Sequence, residues 1–339
     1  MTNIFCFGEL LLRMSPELNG RWIEDAATSV YIGGAELNTA TALAGWKLPV
    51  KYGTALPDNY LTKEIIAAIR QRTIDTTSIH RSGNRIGLYY LPQGVDMKHA
   101  GVIYDRAGSS FAALTPGMID WKEVLNDCSW FHFSAISPAL NEKAAAVCEE
   151  ALKAASELGL TISVDLNYRD KLWQYGKKPA EVMIPLINYC HVVMGNIWAI
   201  ESLLGIASPV KKSGDKKREE LIAAAEESMQ QIAHAYANVH SIACTFRLEA
   251  IYYAVLQHEN RIAISKEFQL KDIVDKVGSG DCFMAGLIYG LWNQHSPQEI
   301  IDFAAAAAVG KMQEKGDATR QTIESVLKIV SKKWVTTKQ

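Results

Sequence analysis

No run among the 339 residues is apolar for long enough to cross a bilayer as a helix. The longest near-apolar stretch, Met284 to Trp292, is about half of the roughly 20 residues required. Cysteine is scarce: there are six, none in CxxC spacing, and most lie in apolar surroundings such as Phe5-Cys6-Phe7. That excludes a zinc ribbon or a thioredoxin-type pair and leaves small buried thiols. The eight histidines form no HExxH pair, and no GxSxG elbow is present, so zinc proteolysis and Ser/His/Asp hydrolysis have no support. An excess of one charge is also lacking. Lys plus Arg is 35 and Asp plus Glu is 37, a net of −2, which gives no footprint for nucleic acid or an anionic membrane. Met1 to Leu12 has no basic lead and contains Glu9, so it does not read as a secretory leader; the expectation is a cytoplasmic protein.

What is present is an alternation of strand-like and helix-like segments. Ile4 to Phe7, Trp130 to Phe133, Ile162 to Leu166, His191 to Met194 and Ser241 to Cys244 read as buried strands. Helical periodicity runs over Glu36 to Trp46, Leu61 to Arg72, Asn141 to Leu158, Pro179 to Asn188 and Glu219 to Ala237. Such alternation predicts an α/β fold with a mostly parallel sheet covered on both faces. Two stretches break the rhythm. Residues 12–32 carry Pro16 and Asn19-Gly20. Residues 84–107 carry two β-like runs, Gly87 to Leu91 and Val102 to Arg106, separated by Pro92-Gln93-Gly94. Together they predict a small β lid inserted into a body formed by 1–11, 33–83 and 108–339. The charged stretch 207–220 reads as a solvated loop, and the basic tail from Lys332 as frayed.

The strongest local signal is Asp275-Lys276-Val277-Gly278-Ser279-Gly280-Asp281-Cys282-Phe283-Met284-Ala285-Gly286. The apolar stripe that follows, Phe283, Met284, Leu287, Ile288, Leu291 and Trp292, sets Gly278-Ser279-Gly280 at a helix start. Free N–H groups and the positive end of the helix dipole can hold an anion there. Asp281, beside a bound phosphate, can take a proton from an attacking hydroxyl. An ordinary loop-to-helix cap with an acid in its first turn is the alternative. Neither Gx4GK[ST] nor GxGxxG occurs.

The full string closely resembles the C-terminal signature of the ribokinase-like (PfkB-type) carbohydrate kinases. Gly33-Gly34-Ala35-Glu36-Leu37-Asn38-Thr39-Ala40 resembles their N-terminal signature, about 240 residues earlier. The resemblance covers nearly the whole chain. It implies a three-layer α/β/α body with a mostly parallel central sheet and a β lid, ATP and Mg²⁺ as cofactors, and a homodimer joined through the lid. It also implies an anion hole at Gly278, Ser279 and Gly280 with Asp281 as catalytic base. Nucleotide contacts fall to Asn167, Asn196, Thr245, Arg247, Gly278 and Gly280, and no metal ligand is assigned.

Within the family, Gly-Gly-Ala-Glu-Leu-Asn is most similar to the 2-keto-3-deoxygluconate kinase branch. Gly87-Leu88-Tyr89, Tyr104-Asp105-Arg106 and Asp165-Leu166-Asn167-Tyr168-Arg169 resemble it too. The implied substrate residues are Gly34, Asn38, Tyr89, Tyr104, Arg106, Arg169 and Asp281. The residue types agree with an acidic sugar. Tyr104 and Arg106 are two apart on a β-like run and so share a face, and a guanidinium binds a carboxylate in fork geometry. Arg169 follows a strand ending where open α/β sheets bind ligands. Both arginines also have a plain structural alternative. The expected reaction is ATP-dependent phosphorylation of the terminal hydroxyl of that sugar acid. A fructokinase or another sugar kinase of the same fold is the alternative, and a sugar-binding sensor without turnover is a different class. One departure bears on metal handling. Where the family usually carries Asn-x-x-Glu, this chain has Asn196-Ile197-Trp198-Ala199. A second lies at Thr245 to Ala250, where a glycine-containing turn is usual.

Overall fold

A computed structural model describes residues 2–16, 22, 28–92, 101–211 and 216–332. Asn19-Gly20, Gln93-Gly94, residues 212–215 of the charged stretch and 333–339 of the tail lie outside the described residues. In chain order the first elements are β1 (Asn3–Phe7), β2 (Leu11–Pro16), β3 (Thr28–Gly33), α1 (Ala35–Gly45), β4 (Val50–Leu56), α2 (Tyr60–Gln71), β5 (Ile79–Arg81), β6 (Gly87–Tyr90) and β7 (Ile103–Asp105). There follow α3 (Trp121–Leu125), β8 (Cys128–Ser134), α4 (Glu142–Glu157), β9 (Thr161–Asp165), α5 (Pro179–Ile187), β10 (Val192–Gly195), α6 (Ile197–Leu204) and α7 (Arg218–Ala235). The last are β11 (Ser241–Arg247), β12 (Ile251–His258), β13 (Arg261–Ile264), β14 (Phe268–Gln269), α8 (Ser279–Trp292), α9 (Pro297–Lys311) and α10 (Ile323–Ser331).

The main sheet has the order β13-β12-β11-β10-β9-β8-β1-β4-β5, with β14 paired to β12. From β11 to β5 all pairings are parallel; β12, β13 and β14 add an antiparallel margin. The strands read as continuous apolar runs because both faces are covered. Phe5 and Phe7 point into a core shared with α3 to α7, while Ile4 and Cys6 point into a second core shared with α1, α2, α8, α9 and α10. The period of two therefore splits each strand between two layers of helices. All six cysteines are buried and free. No helix among the described residues is long and apolar enough to cross a membrane; Met284 to Trp292 belongs to the buried helix α8.

A separate four-stranded sheet, β3-β2-β6-β7, is built from the two stretches that broke the α/β rhythm. Its β2 and β6 run parallel, with antiparallel β3 and β7 at the margins. Its own apolar cluster is small: Leu11, Tyr89, Leu91 and Val102, completed by Val277 from the body.

The parallel strands end on one edge. Glu9 follows β1, Asn167 and Arg169 follow β9, Asn196 follows β10, and Arg247 ends β11. Since β1 has β4 on one side and β8 on the other, the chain leaves it in both directions, and the crevice of such a switch point lies at that edge. Helix α8 starts there and is fixed against α9 by small residues. A Cβ placed on Gly286 would stand 2.6 Å from the Ala304 Cα. Gly286→Val is expected to destabilise the fold by about 1–3 kcal/mol, the ordinary cost of overpacking. It would be read as a lower denaturation midpoint at unchanged m-value.

Candidate active site

One cleft of about 820 Å³ opens at this edge. It is lined by all the residues singled out from sequence: Gly34, Asn38, Tyr89, Tyr104, Arg106, Asn167, Arg169, Asn196, Thr245, Arg247, Gly278, Ser279, Gly280 and Asp281. Tertiary structure thus gathers groups spread over almost 250 positions.

The floor is the start of α8. Its N-cap Gly278 is left-handed, with φ 78°, and no side chain caps the helix. A Cβ on Gly278 would collide with the Asp317 carbonyl oxygen, so conformation and space both require glycine. Above Gly280 the space is open; a Cβ there would meet nothing within 4 Å. The first N–H groups of a helix have no intrahelical partner. Uncapped donors at the positive end of the α8 dipole, beneath open volume, fit an anionic phosphoryl group.

Asp281 is the third residue of α8, in its first turn, and is 8% exposed. The Asn38 side-chain amide donates to its Oδ2 at 2.7 Å, and the Thr39 hydroxyl donates to its carbonyl at 3.2 Å. Helix α1 therefore holds the first turn of α8. Burial pushes the Asp281 carboxyl up to about 7; the Asn38 hydrogen bond opposes this, the Asp165 and Glu36 charges add to it, and Arg169 opposes it. Glu36 is likewise lifted to about 7 by burial, against hydrogen bonds from the Ser134 hydroxyl (2.5 Å) and backbone N–H (2.9 Å). Burial raises Asp165 to about 6, and its two oxygens accept from the Asn167 backbone and side chain.

The two arginines differ. Arg106 lies just past β7, because the run Val102 to Arg106 expected to be β-like is a strand only over Ile103–Asp105. Its Nη2 and Nε reach Glu9 Oε2 at 2.5 and 2.6 Å, and Ser109 donates to the other Glu9 oxygen. Its guanidinium still faces the Tyr104 ring, 6.0 Å from the centroid. Arg169 donates Nη1 to the Tyr168 carbonyl at 2.9 Å, while its buried Nε has no partner among the described residues. Asn38 Oδ1 is similarly buried and unpartnered. Gly34, with φ 129°, caps α1 and packs against the Glu9 carbonyl, so its lack of a side chain first serves the protein's own backbone. Tyr89 gives its hydroxyl to Asp317 Oδ2 at 2.5 Å.

On the other flank Asn196 Oδ1 caps α6 by accepting from Trp198 N and Ala199 N. Ala199 offers no carboxylate. Glu201 turns away to Lys211, at 2.5 Å, outside the cleft lining. Thr245 donates to the Gly195 carbonyl at 3.3 Å. Among the described residues no group of three His, Cys, Asp or Glu side chains could hold a metal. Magnesium needs only one or two carboxylates beside substrate phosphates, and Asp165, which faces Asp281 electrostatically, fits that demand.

The sequence reading did not single out Glu9, Glu36, Asp165 or Asp317 as site groups, although all four line the cleft. Glu9 had a usable signal: a carboxylate directly after an apolar strand at a ligand-binding edge. Glu36 had another, an acid inside an otherwise apolar helix start. Asp317 had none.

A doubly wound body with a β lid, an anion-ready helix start and an acid beside it define a phosphotransferase of small molecules. The family model described as pfkB family carbohydrate kinase matches residues 1–323, and the chain belongs to that family: it is a carbohydrate kinase. It is similar to a 2-dehydro-3-deoxygluconokinase structure from Thermotoga maritima, with 33% identity, 98% of this chain and 100% of that one covered, and a TM-score of 0.88. It is 26% identical over 329 residues to a 2-dehydro-3-deoxygalactonokinase of Haloferax volcanii, covering 96% of this chain and 95% of that protein. The fold is shared with a fructokinase of Xylella fastidiosa with bound ATP, at 20% identity, 97% and 98% coverage and a TM-score of 0.75.

The raised Asp281 has a kinetic consequence. In the role of proton acceptor that the sequence resemblance implies for it, Asp281 must be deprotonated, so kcat/KM should rise with pH through about 7 and then level. That limb belongs to Asp281 coupled to Asp165 and Glu36 rather than to one group alone. Asn38→Ala removes a donor to the charged form and should move the limb to higher pH. A pH–rate profile of both proteins checks this.

Proposed function

We propose that this carbohydrate kinase phosphorylates 2-keto-3-deoxygluconate at its terminal C6 hydroxyl, with ATP as donor, giving 2-keto-3-deoxy-6-phosphogluconate. The observation that carries the reading is the pairing, in one cleft, of Asp281 beside the open Gly278–Gly280 turn with the unpartnered Nε of Arg169. The names of the Thermotoga and Haloferax relatives support a sugar-acid substrate.

In this reading the sugar's hydroxyl faces Asp281, which takes its proton as the bond to phosphorus forms. N–H groups at Gly278, Ser279 and Gly280 hold the transferring oxygens and stabilise charge as it develops. Magnesium, were it bound with the nucleotide, would supply charge neutralisation at the phosphates, and Asp165 is the residue that would hold it. Asn167, Asn196, Thr245 and Arg247 line the nucleotide flank. At the acid end, Arg169 meets the carboxylate, with Arg106, Tyr89 and Tyr104 forming the lid side. Asn38 Oδ1 accepts from a sugar hydroxyl.

A coupled ADP-release assay over a panel of sugars and sugar acids tests the substrate. The highest kcat/KM is expected on 2-keto-3-deoxygluconate or its C4 epimer; a higher value on fructose or ribose rejects the reading, and binding without turnover would make the protein a sensor. Asp281→Asn should lower kcat by about 10²–10⁴-fold. Because the folded-state pKa of Asp281 lies above the ordinary carboxylate value, its charge costs stability. That cost is absent below about pH 4 and grows until about pH 7. The same variant should therefore melt higher than wild type at pH 8 and lose that advantage at pH 4. Arg169→Met should raise KM for the acid by about 10- to 100-fold.

We also infer a homodimer through the lid. Val30 on β3 and Ile103 on β7, the two margins of the lid sheet, are 53% and 59% exposed, and an uncovered apolar sheet face needs a cover. Sedimentation should give twice the 37.5 kDa chain mass, and Val30→Lys with Ile103→Lys should shift it toward monomer.

A further inference from the structure

The lid and the anion turn share a buried charged seam. Arg13, on β2, is 0% exposed. Its Nη2 lies 2.6 Å from Asp275 Oδ2 and its Nε 3.0 Å from Asp317 Oδ1, and Tyr31 of β3 stacks on it with the ring centroid 4.5 Å away. Tyr89 of β6 donates to the other Asp317 oxygen. Gly33, at the end of β3, packs so tightly on Asp317 that a side chain there would collide with its carboxylate. Three lid strands thus converge on one body residue. The Asp317 backbone in turn packs against Gly278, the left-handed residue that opens the anion turn.

A second contact links the same parts. Val277 lies in the lid's apolar cluster with Leu11, Tyr89, Leu91 and Val102, one residue before Gly278. Asp275 accepts from the Val277 N–H at 3.1 Å while it holds Arg13. The segment 275–278 is therefore gripped by the lid through a salt bridge and an apolar plug, and Asp317 props it from the other side. Lys311, 0% exposed, also lies close to Gly278: its Cε would be 3.4 Å from a Cβ placed there.

We propose that Asp317, with Arg13 and Tyr89, is a positioning relay: an anion bound at the Gly278–Gly280 turn tightens the lid, and a displaced lid loosens the turn. Such a coupling is reciprocal by linkage. It makes the turn complete only when the lid is down, so that a phosphoryl group is least well held when the sugar side is open to water. The proposal rests on the anion-hole reading above but not on the identity of the sugar.

The exchange arm of the test uses no sugar; the kinetic arm uses the sugar that gives the highest turnover in wild type. Amide hydrogen exchange of the full chain is followed by mass spectrometry, with and without a magnesium complex of a non-hydrolysable ATP analogue, whose binding is measured in parallel by calorimetry. Exchange in 87–92 should slow by about fivefold, the low end of ordinary coupling, in wild type. It should slow little or not at all in Tyr89→Phe, which deletes one hydroxyl, and in Asp317→Asn. Both variants should also lose kcat more than they raise the nucleotide KM, a split that simple destabilisation does not give. Nucleotide binding without lid protection in wild type, or protection that survives in Tyr89→Phe, overturns the relay and leaves the anion-hole reading standing. Absence of nucleotide binding to wild type overturns both.

Discussion

A base must carry charge when its substrate arrives, and burial makes charge costly. In the proposed reaction that conflict is concentrated at Asp281. Its carboxylate is almost removed from water, yet it stands in the first turn of α8, where the helix dipole favours an anion. Asn38 and Arg169 hold it in the charged form, and Asp165 and Glu36 press it toward the neutral one. The balance falls near neutrality, where a proton acceptor has both useful basicity and a useful population. The same helix start presents its N–H groups to the phosphoryl side. In the proposed reaction one structural device therefore serves both reacting partners, and the sheet beneath supplies its rigidity.

The lid is built on the opposite terms. Four strands that bury only a handful of apolar residues have a small core of their own. The sheet is held to the body by Val277 and by a charged seam of Arg13, Asp275, Asp317 and Tyr89. The positive guanidinium loses hydration on burial, and Asp317 and Asp275 more than offset that loss, so its charge is secured. Burial drives the Asp317 carboxyl upward while Arg13 pulls it down. Such an ion pair adds little net stability compared with apolar packing, but it has a direction and a register. An apolar seam could slide; this one fixes where the lid meets the turn.

The parts legible in the sequence were those encoded locally. β1, β8, β9 and β10 read as strands because burial on both faces makes them uninterrupted apolar runs. The start of α8 was legible because a glycine pair, an acid and an apolar stripe lie within a few residues. β4 was not read: Lys51, Gly53 and Thr54 interrupt its pattern, and only the fold reveals that Lys51 reaches out to Asp127 at 2.7 Å. β12 escaped because it is the antiparallel margin of an otherwise parallel sheet. α9, an alanine-rich segment, has so little polar contrast that its periodicity is faint, since it is buried nearly all round. Among the site groups, Glu9 and Asp317 take their meaning from partners far away in the chain: Arg106 is 97 positions from Glu9, and Tyr89 is 228 from Asp317. No local pattern carries such pairings.

The electrostatics of the cleft also separate two arginines that look equivalent in sequence. Arg106 is neutralised by Glu9 at 2.5 Å, and Ser109 uses the remaining Glu9 oxygen. A ligand carboxylate that drew Arg106 away would leave Glu9 buried and unpaired, a cost of several kcal/mol. Arg169 has no such commitment: its Nη1 goes to a backbone carbonyl and its buried Nε to nothing among the described residues. An incoming carboxylate can satisfy that donor without breaking an ion pair, so the gain is not spent on disruption. Burial pushes the Glu36 carboxyl up, which favours its neutral form and weakens the negative field it would set against such a guest. In the proposed reading, recognition of an acid therefore falls mainly to Arg169, which follows β9 at the ligand-binding edge of the sheet. Arg106, locked to Glu9, holds the loop after β1 against the end of the lid.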